Sequence, residues 1–453
     1  MHIHILGICG TFMGGIAMVA RQAGHKVTGS DRNVYPPMSD ELKAAGIEIV
    51  EGYDAAQLDL NPDLIVVGNV MKRGMPVIER MLNEKWPYVS GPQWLYEHYL
   101  QHKKVLCVAG THGKTTTTSM LCHILNEAGL NPGFLVGGIP ENFGISARST
   151  DSPYFVIEGD EYDCAFFDKR AKFVHYHPDV VILNNLEYDH ADIYENLAAI
   201  QKQFHHLVRT VPSAGTVVVP SDCKALDEVL RMGLWSHEVR VGGEDLTYEL
   251  LSRDGSAFKV MENGKAVTEV HGPFTGLYSV HNALMALAAA RAVGVSLETG
   301  AQALASFKMP KRRMELKGTV GEVSVYDDFA HHPTAVRVTL EGLRAHLDPD
   351  TRLIAVFEPR SNSMKAGVNG ALLPHAFDSA DEVYVYASPE VRFNVADALK
   401  GCPVPCEVDH DFEHLVATLV HKAHGKCAIL CMSNGSFNGI HGKILYGLRH
   451  KAV

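Results

Sequence analysis

No apolar run in this 453-residue chain is long enough to span a membrane. No block of Lys or Arg stands out, and the net charge is −11, so nucleic acid and an anionic membrane surface are not expected partners. Any anionic ligand must be held by local groups rather than by the overall field. No CxxC pair occurs. Cys402-Pro-Val-Pro-Cys406 and Cys427-Ala-Ile-Leu-Cys431 have the wrong spacing for a structural metal, and the second reads as a buried strand. The nine cysteines are odd in number and scattered, and the apolar first twenty residues lack the basic start of a secretion signal. A reducing cytoplasm is therefore the expected compartment. There is no internal repeat and no low-complexity linker. What remains, 46% apolar and 21% charged residues, is ordinary for globular domains, and the length suits about three of them.

The most informative stretch begins at Val105. Residues 105–109 are apolar and read as a buried strand. Gly110-Thr-His-Gly-Lys-Thr-Thr116 then reads as a phosphate loop, and residues 119–128 as the helix behind it. Free backbone N–H groups in such a loop, and the helix N-terminus, attract phosphate. Lys114 would reach the terminal phosphates and the Thr115 hydroxyl would sit on Mg2+. The usual pattern places a glycine five positions before Gly113. Here Val108 stands there, so the loop is a shortened variant.

Three segments follow from the texture of the chain. Residues 1–101 open with a strand, the loop Gly7-Ile-Cys-Gly-Thr-Phe-Met-Gly-Gly15, an apolar helix and a second strand ending in Asp31. This is the βαβ plan of a Rossmann-type unit with an incomplete fingerprint, since Cys9 and Phe12 replace two of its glycines. Asp31 sits where a ribose-binding acid belongs. Residues 102–308 carry the phosphate loop and strands ending at Glu158 and Asn184. Alternating runs between about 215 and 275 predict antiparallel hairpins, and residues 281–292 a helix rich in Ala and Leu. Residues 309–453 alternate strands and helices as a third α/β unit.

Polar residues at the carboxyl ends of parallel strands line the crevice where such sheets bind ligands. Glu158 and Asp160 are candidates for holding Mg2+, directly or through water, and Glu158 is preferred because it follows the apolar run immediately. His190 ends Asn185-Leu-Glu-Tyr-Asp-His190; Mg2+ prefers oxygen, so the residue type reads as a general base or an orienting group. Asp327, Asp328, His331 and His332 follow another strand and could bind ribose, orient a phosphate or accept a proton from an amine. Lys311-Arg-Arg313 supplies cations for a phosphoryl group.

The loop at Gly110–Thr116, Glu158, the 185–190 motif, His281-Asn282, Arg312-Arg313 and Asp327-Asp-Phe-Ala-His-His-Pro333 occur in the order found in the Mur ligases, ATP-dependent amide-forming enzymes of peptidoglycan synthesis. The chain resembles that family over its whole length. The resemblance implies an α/β protein of three domains: a Rossmann-like UDP-binding domain, a central P-loop ATPase-like domain and a C-terminal Rossmann-like domain for the peptide. It implies ATP and Mg2+ as cofactors. It implies attack of the UDP-N-acetylmuramate carboxylate on the γ-phosphate to form an acyl phosphate, which an amine then opens.

Site residues follow from the same resemblance. The chemistry is assigned to Lys114, His190, His331 and His332. Gly110, Thr111, His112, Gly113, Lys114, Thr115, Thr116, Asn282, Arg313 and Asp328 would hold the nucleotide. Thr115 and Glu158 would bind one Mg2+ and His190 a second, which overrides the oxygen-preference argument. Gly7, Gly10, Thr11, Met13 and Asp31 would meet the UDP-sugar, and Arg360, Ser361 and Lys365 the carboxylates of the incoming amine. Glu158-Gly-Asp-Glu-Tyr-Asp, Lys172-Phe-Val-His-Tyr176 and Glu358-Pro-Arg-Ser-Asn-Ser-Met-Lys365 are similar to the branch that recycles cell-wall fragments. The expected amine is therefore the murein tripeptide L-alanyl-γ-D-glutamyl-meso-diaminopimelate, with L-alanine as the alternative. A monomer or weak dimer is expected. Two positions depart from the family: Met285 replaces a second asparagine near the adenine, and Gln203-Phe-His-His206 stands where relatives carry a carbamylated lysine. No carbamylation is expected, including at nearby Lys202. An oxidoreductase using a nicotinamide cofactor, or a UDP-sugar sensor without catalysis, would leave Gly-Lys-Thr or Lys114 and Glu158 idle.

Overall fold

The computed structural model describes residues 1–34, 36 and 38–450. Three principal sheets follow one another along the chain. The first has five parallel strands in the order Glu48–Glu51, Lys26–Asp31, His2–Leu6, Leu64–Val67, Tyr88–Ser90. The second has seven, with Lys104–Ala109 between Val180–Leu183 and Tyr154–Gly159 at its centre. The third has six, led by an antiparallel edge strand Glu315–Val320 that pairs with Val323–Asp328. The expected α/β class and its parallel sheets are borne out.

Register decides what meets at the sheet edge. Val108 pairs with Glu158, and Ala109 with Leu183. The phosphate loop, Glu158 and Asn184 therefore emerge side by side at the carboxyl ends of three adjacent strands. In the third sheet Asp328 and Phe357 both pair with Met432, which brings Asp328, residues 433–435 and residues 358–360 to one edge.

Helix Lys114–Glu127 starts five residues earlier than the sequence reading places it. Gly113 at φ 76° stands at its N-cap, so the Lys-Thr-Thr-Thr-Thr run is helical and its first N–H groups point into the loop. A second helix, Leu277–Ala292, is buried almost all round, and its alanines let it pack closely against the first. The expected hairpins are confined to 247–271. Thr216–Pro220 and His237–Val241 extend the main sheet in parallel, because helix Lys224–Arg231 supplies the crossover that parallel pairing needs.

Apolar packing is unequal between the segments. One hydrophobic cluster runs without a break from Ile3, Ile16 and Trp94 to Phe155, Ile157 and Phe204, so the first sheet and one face of the second share a core. Gly15 belongs to this joint: a Cβ there would lie 2.9 Å from the Leu135 side chain of the second sheet. The third sheet buries its own clusters on its two faces. Its links to the second segment include the hydrogen bonds of Thr334 to Glu187 and Asn362 to Asp192, and a close backbone approach of Gly342 to Gly276.

Candidate active site

A cavity of about 1270 Å3 opens where the three segments meet. Gly7, Gly10, Thr11, Met13 and Asp31 line one end, and Arg313, Asp328 and His331 the other. Between them lie Thr111, His112, Gly113, Lys114, Thr115, Thr116, Glu158, His190 and Asn282. Gly110 and His332 are buried and are not among the lining residues. Arg360, Ser361 and Lys365 are outside it.

The phosphate loop is braced from the strand beside it. Asn185 accepts from the His112 N–H at 2.8 Å, and the side-chain amides of Asn184 and Asn185 both donate to the His112 carbonyl at 3.0 Å. Asn184 also donates to Asn282 at 2.9 Å, which ties the loop to the buried helix. Glycine is required at 113: a Cβ would lie 2.7 Å from the Asn184 amide nitrogen, at a φ that L residues disfavour.

Lys114 points inward. Its Nζ donates to the Gly110 carbonyl at 2.6 Å and to both oxygens of Glu161 at 3.1 and 3.2 Å. Burial favours the neutral amine, but Glu161, Asp160 and Glu158 outweigh it and hold Lys114 charged. Thr115 Oγ1 donates to Glu158 at 3.1 Å, and the Gly137 N–H donates to the same carboxylate at 2.7 Å. Burial pushes the Glu158 carboxyl up. A hydroxyl and a buried carboxylate converging beside a phosphate loop are the hard oxygen donors that Mg2+ takes, so the residues fit that ion. His190 has φ 55°, Nε2 2.7 Å from Glu161 and Nδ1 2.8 Å from the Tyr162 hydroxyl. Burial would lower its pKa, but the Glu161 carboxylate outweighs this and raises it.

The third segment meets this site at the loop that carries Glu187 and Asp189. Glu187 accepts from the Thr334 hydroxyl at 3.1 Å and lies 3.0 Å from His112 Nε2 and 3.4 Å from His332 Nδ1. Its carboxyl is raised by burial but pulled further down by His112, to about 2. Asp189 lies 3.9 Å from His331 Nε2. Burial pushes both His331 and His332 down to about 4, so both are neutral near pH 7. His331 Nδ1 faces the Phe329 carbonyl at 3.1 Å, so its proton sits there and Nε2 carries the lone pair.

Other expected residues are partly committed elsewhere. Asp31 accepts from the Cys9 and Asn33 N–H groups and the Tyr53 hydroxyl, bracing its own loop. Gly14 serves helix packing against Met38. Asp328, raised by burial against the pull of Arg313, accepts from the Met314 and Ala330 N–H groups. Arg313 lies over the Phe329 ring, while Arg312 is spent on Asp327 and the carbonyls of Ser433 and Gly435. Ser361 caps helix Asn362–Lys365, Lys365 pairs with Glu390, and Arg360 lies 3.5 Å from Glu358. Asp160 is taken by Lys172 at 2.6 Å. Sequence reasoning missed Glu161 and Glu187 as site residues. Both stand within the motifs already singled out, but nothing local says that each would meet two partners. A separate buried cluster, Cys164, Asp168 and His175, has the spacing of metal ligands, but Arg170 already occupies the Asp168 carboxylate.

Comparison with known proteins follows the same three segments. Residues 2–103 match the Mur ligase family catalytic domain, 108–290 the Mur ligase middle domain and 312–435 the Mur ligase glutamate ligase domain. The chain is 51% identical over 451 residues, 99% of this chain and all of the relative, to a UDP-N-acetylmuramate–L-alanyl-γ-D-glutamyl-meso-2,6-diaminoheptandioate ligase of Haemophilus influenzae. It is 51% identical over 453 residues to the protein of the same name in Escherichia coli, covering 100% of this chain and 99% of that one. A crystal structure of a murein peptide ligase from Psychrobacter arcticus superposes with a TM-score of 0.74 at 46% identity over the full length of both chains. With its phosphate loop, strand-end carboxylate and three matched domains in register, the chain belongs to the Mur ligase family.

Proposed function

We propose that this enzyme joins UDP-N-acetylmuramate to the tripeptide L-alanyl-γ-D-glutamyl-meso-diaminopimelate at the expense of ATP, in the recycling of peptidoglycan. The observation that carries the reading is a single cavity lined by both the N-terminal glycine loop and the phosphate loop, in a chain 51% identical to full-length relatives named for that ligation. Residues 1–101 would take the UDP-sugar through Gly7, Gly10, Thr11 and Met13. Residues 102–308 would take ATP, and residues 309–453 the peptide.

The lining of the cavity supports a role for a named residue at each chemical step. The loop N–H groups of 110–116 and Lys114 bind the phosphates, with Arg313 and Asp328 at the nucleotide from the third segment and Asn282 from the buried helix. Mg2+, held by Thr115 and Glu158 with His190 near a second site, would neutralise phosphate charge. The muramate carboxylate oxygen attacks the γ-phosphorus and ADP leaves. The peptide α-amine then attacks the acyl carbon, the amide C–N bond forms and phosphate departs. The amine's proton goes to a neutral imidazole, and the free Nε2 of His331 at the cavity wall supports that role. Most of the rate comes from holding the carboxylate in line and from fixed positive charge at the crowded oxygens. Arg360, Ser361 and Lys365 lie beyond the cavity at the third segment's edge, on the side from which a peptide with several carboxylates would enter.

Phosphate release from ATP, measured with UDP-N-acetylmuramate plus either the tripeptide or L-alanine, tests the reading. Turnover with tripeptide is expected. Turnover with L-alanine and none with tripeptide refutes it in favour of the alternative ligase.

A further inference from the structure

Among the described residues, three side chains of fixed positive charge line the cavity: Lys114, Arg313 and Lys172. The first two lie at the nucleotide, one in the phosphate loop and one beside Asp328. Lys172 is different. It starts the short helical turn Lys172–His175, its side chain is only 8% exposed, and it lines the cavity with Phe12 of the glycine loop and with Asp160 and Tyr162. Its ammonium donates to Asp160 Oδ2 at 2.6 Å and lies 5.1 Å from the Phe12 ring and 5.9 Å from the Tyr162 ring. Phe12 belongs to the N-terminal helix Thr11–Gln22, so Lys172 spans the joint between the first two sheets at the cavity wall.

Burying an ammonium costs free energy unless partners recover it. One carboxylate and two ring faces satisfy one of its three N–H donors directly and leave two. The glycine loop supplies backbone N–H groups but no cation of its own. On the proposed reading, the acceptor brings a diphosphate and a carboxylate past this point, on the way from Gly10 to His190.

We propose that Lys172 is the acceptor-binding cation, donating its free N–H groups to an anionic group of the UDP-sugar acid, while Asp160 holds the ammonium in place when the site is empty. This rests on the proposed ligase function. If the contact is to the carboxylate, a lysine there favours an acceptor that carries an acid beside its diphosphate over a sugar nucleotide that carries the diphosphate alone, so it acts in specificity as well as affinity.

Calorimetric binding of UDP-N-acetylmuramate, UDP and a non-hydrolysable ATP analogue to wild type and Lys172→Met tests it. Methionine keeps the apolar stem over Phe12 and removes only the charge. Binding of UDP-N-acetylmuramate is expected to weaken about 10- to 100-fold, with ATP-analogue binding unchanged. Equal weakening for UDP assigns the contact to the diphosphate; unchanged UDP binding assigns it to the carboxylate. Acceptor affinity within twofold of wild type, or a parallel loss for the ATP analogue, overturns the proposal. If Lys172→Met does not fold, Lys172→Arg decides: a raised KM for the acceptor with an unchanged KM for ATP is expected, and an unchanged acceptor KM overturns it. Failure of wild type itself to bind UDP-N-acetylmuramate would instead reject the ligase reading.

Discussion

Removing the Lys114 charge should have two separable consequences. The first is catalytic: Lys114→Met is expected to lower turnover by about 10³-fold or more, as for other fixed charges aimed at a transition state. The second concerns stability. Glu161 has a side chain 3% exposed and pairs with Lys114 and His190 at 3.1 and 2.7 Å. Breaking a buried pair by deleting one partner costs about 3–5 kcal/mol, and the retained His190 puts the loss near about 3 kcal/mol. The pH dependence has a definite sign. In the wild type, burial raises Glu161 but Lys114 and His190 outweigh it, so its carboxyl titrates below the ordinary value of about 4.3. Its contribution is present above that value and lost as pH falls through the lower, folded one. Without Lys114, burial dominates and the carboxyl titrates above about 4.3, so stability is lost as pH rises. Loss of the His190 proton deepens this. The deficit of Lys114→Met should therefore be larger at pH 8 than at pH 5. Glu161→Gln added to it should recover most of the loss, because the uncompensated charge is gone. Urea denaturation at the two pH values reads the stability, and phosphate release reads turnover. A deficit equal at both pH values and unrelieved by Glu161→Gln refutes the pairing argument, and full turnover refutes the mechanism.

Three further outcomes are expected. Glu187→Ala and Thr334→Val should each lower kcat about tenfold with ATP affinity kept within about twofold, and their double-mutant cycle should show a coupling of about 0.5–3 kcal/mol, since the carboxylate and hydroxyl meet at 3.1 Å across the second and third segments. Additive effects would dismiss that clasp. Gly113→Ala should cost about 1–2 kcal/mol in stability and abolish nucleotide binding, because its Cβ meets Asn184 and Asn282 at 2.7 and 2.8 Å in a left-handed backbone; intact binding by calorimetry would contradict this. Turnover should be the same in bicarbonate-free buffer, since Lys202 is exposed on helix Leu197–Val208 and the carboxylate facing His190 is that of Glu161; a mass increase of one carbon dioxide on Lys202, lost together with activity, would disprove it.

The phosphate loop, the strand-end Glu158 and the α/β order were legible from the chain because each is a local statement. An apolar run, a glycine in a left-handed turn and a hydroxyl beside a lysine lie within a few residues of one another, and backbone sterics and hydrogen bonding fix their form. The hairpin expectation at 215–245 failed for a related reason: alternation shows a strand but not which neighbour it pairs with, and a helical crossover decided for parallel pairing. Glu161, Glu187 and Lys172 look like ordinary charges in sequence. Glu161 and Glu187 depend on partners up to 147 residues away brought within hydrogen-bond distance, and Lys172 on the Phe12 ring 5.1 Å away across the core that the first two sheets share. The sequence alone thus determined which chemistry this protein performs. Only the tertiary structure decided which carboxylate pairs with Lys114, which one ties the third segment to the phosphate loop, and which buried ammonium reaches the cavity beside the glycine loop, because electrostatic pairing is set by distance in space.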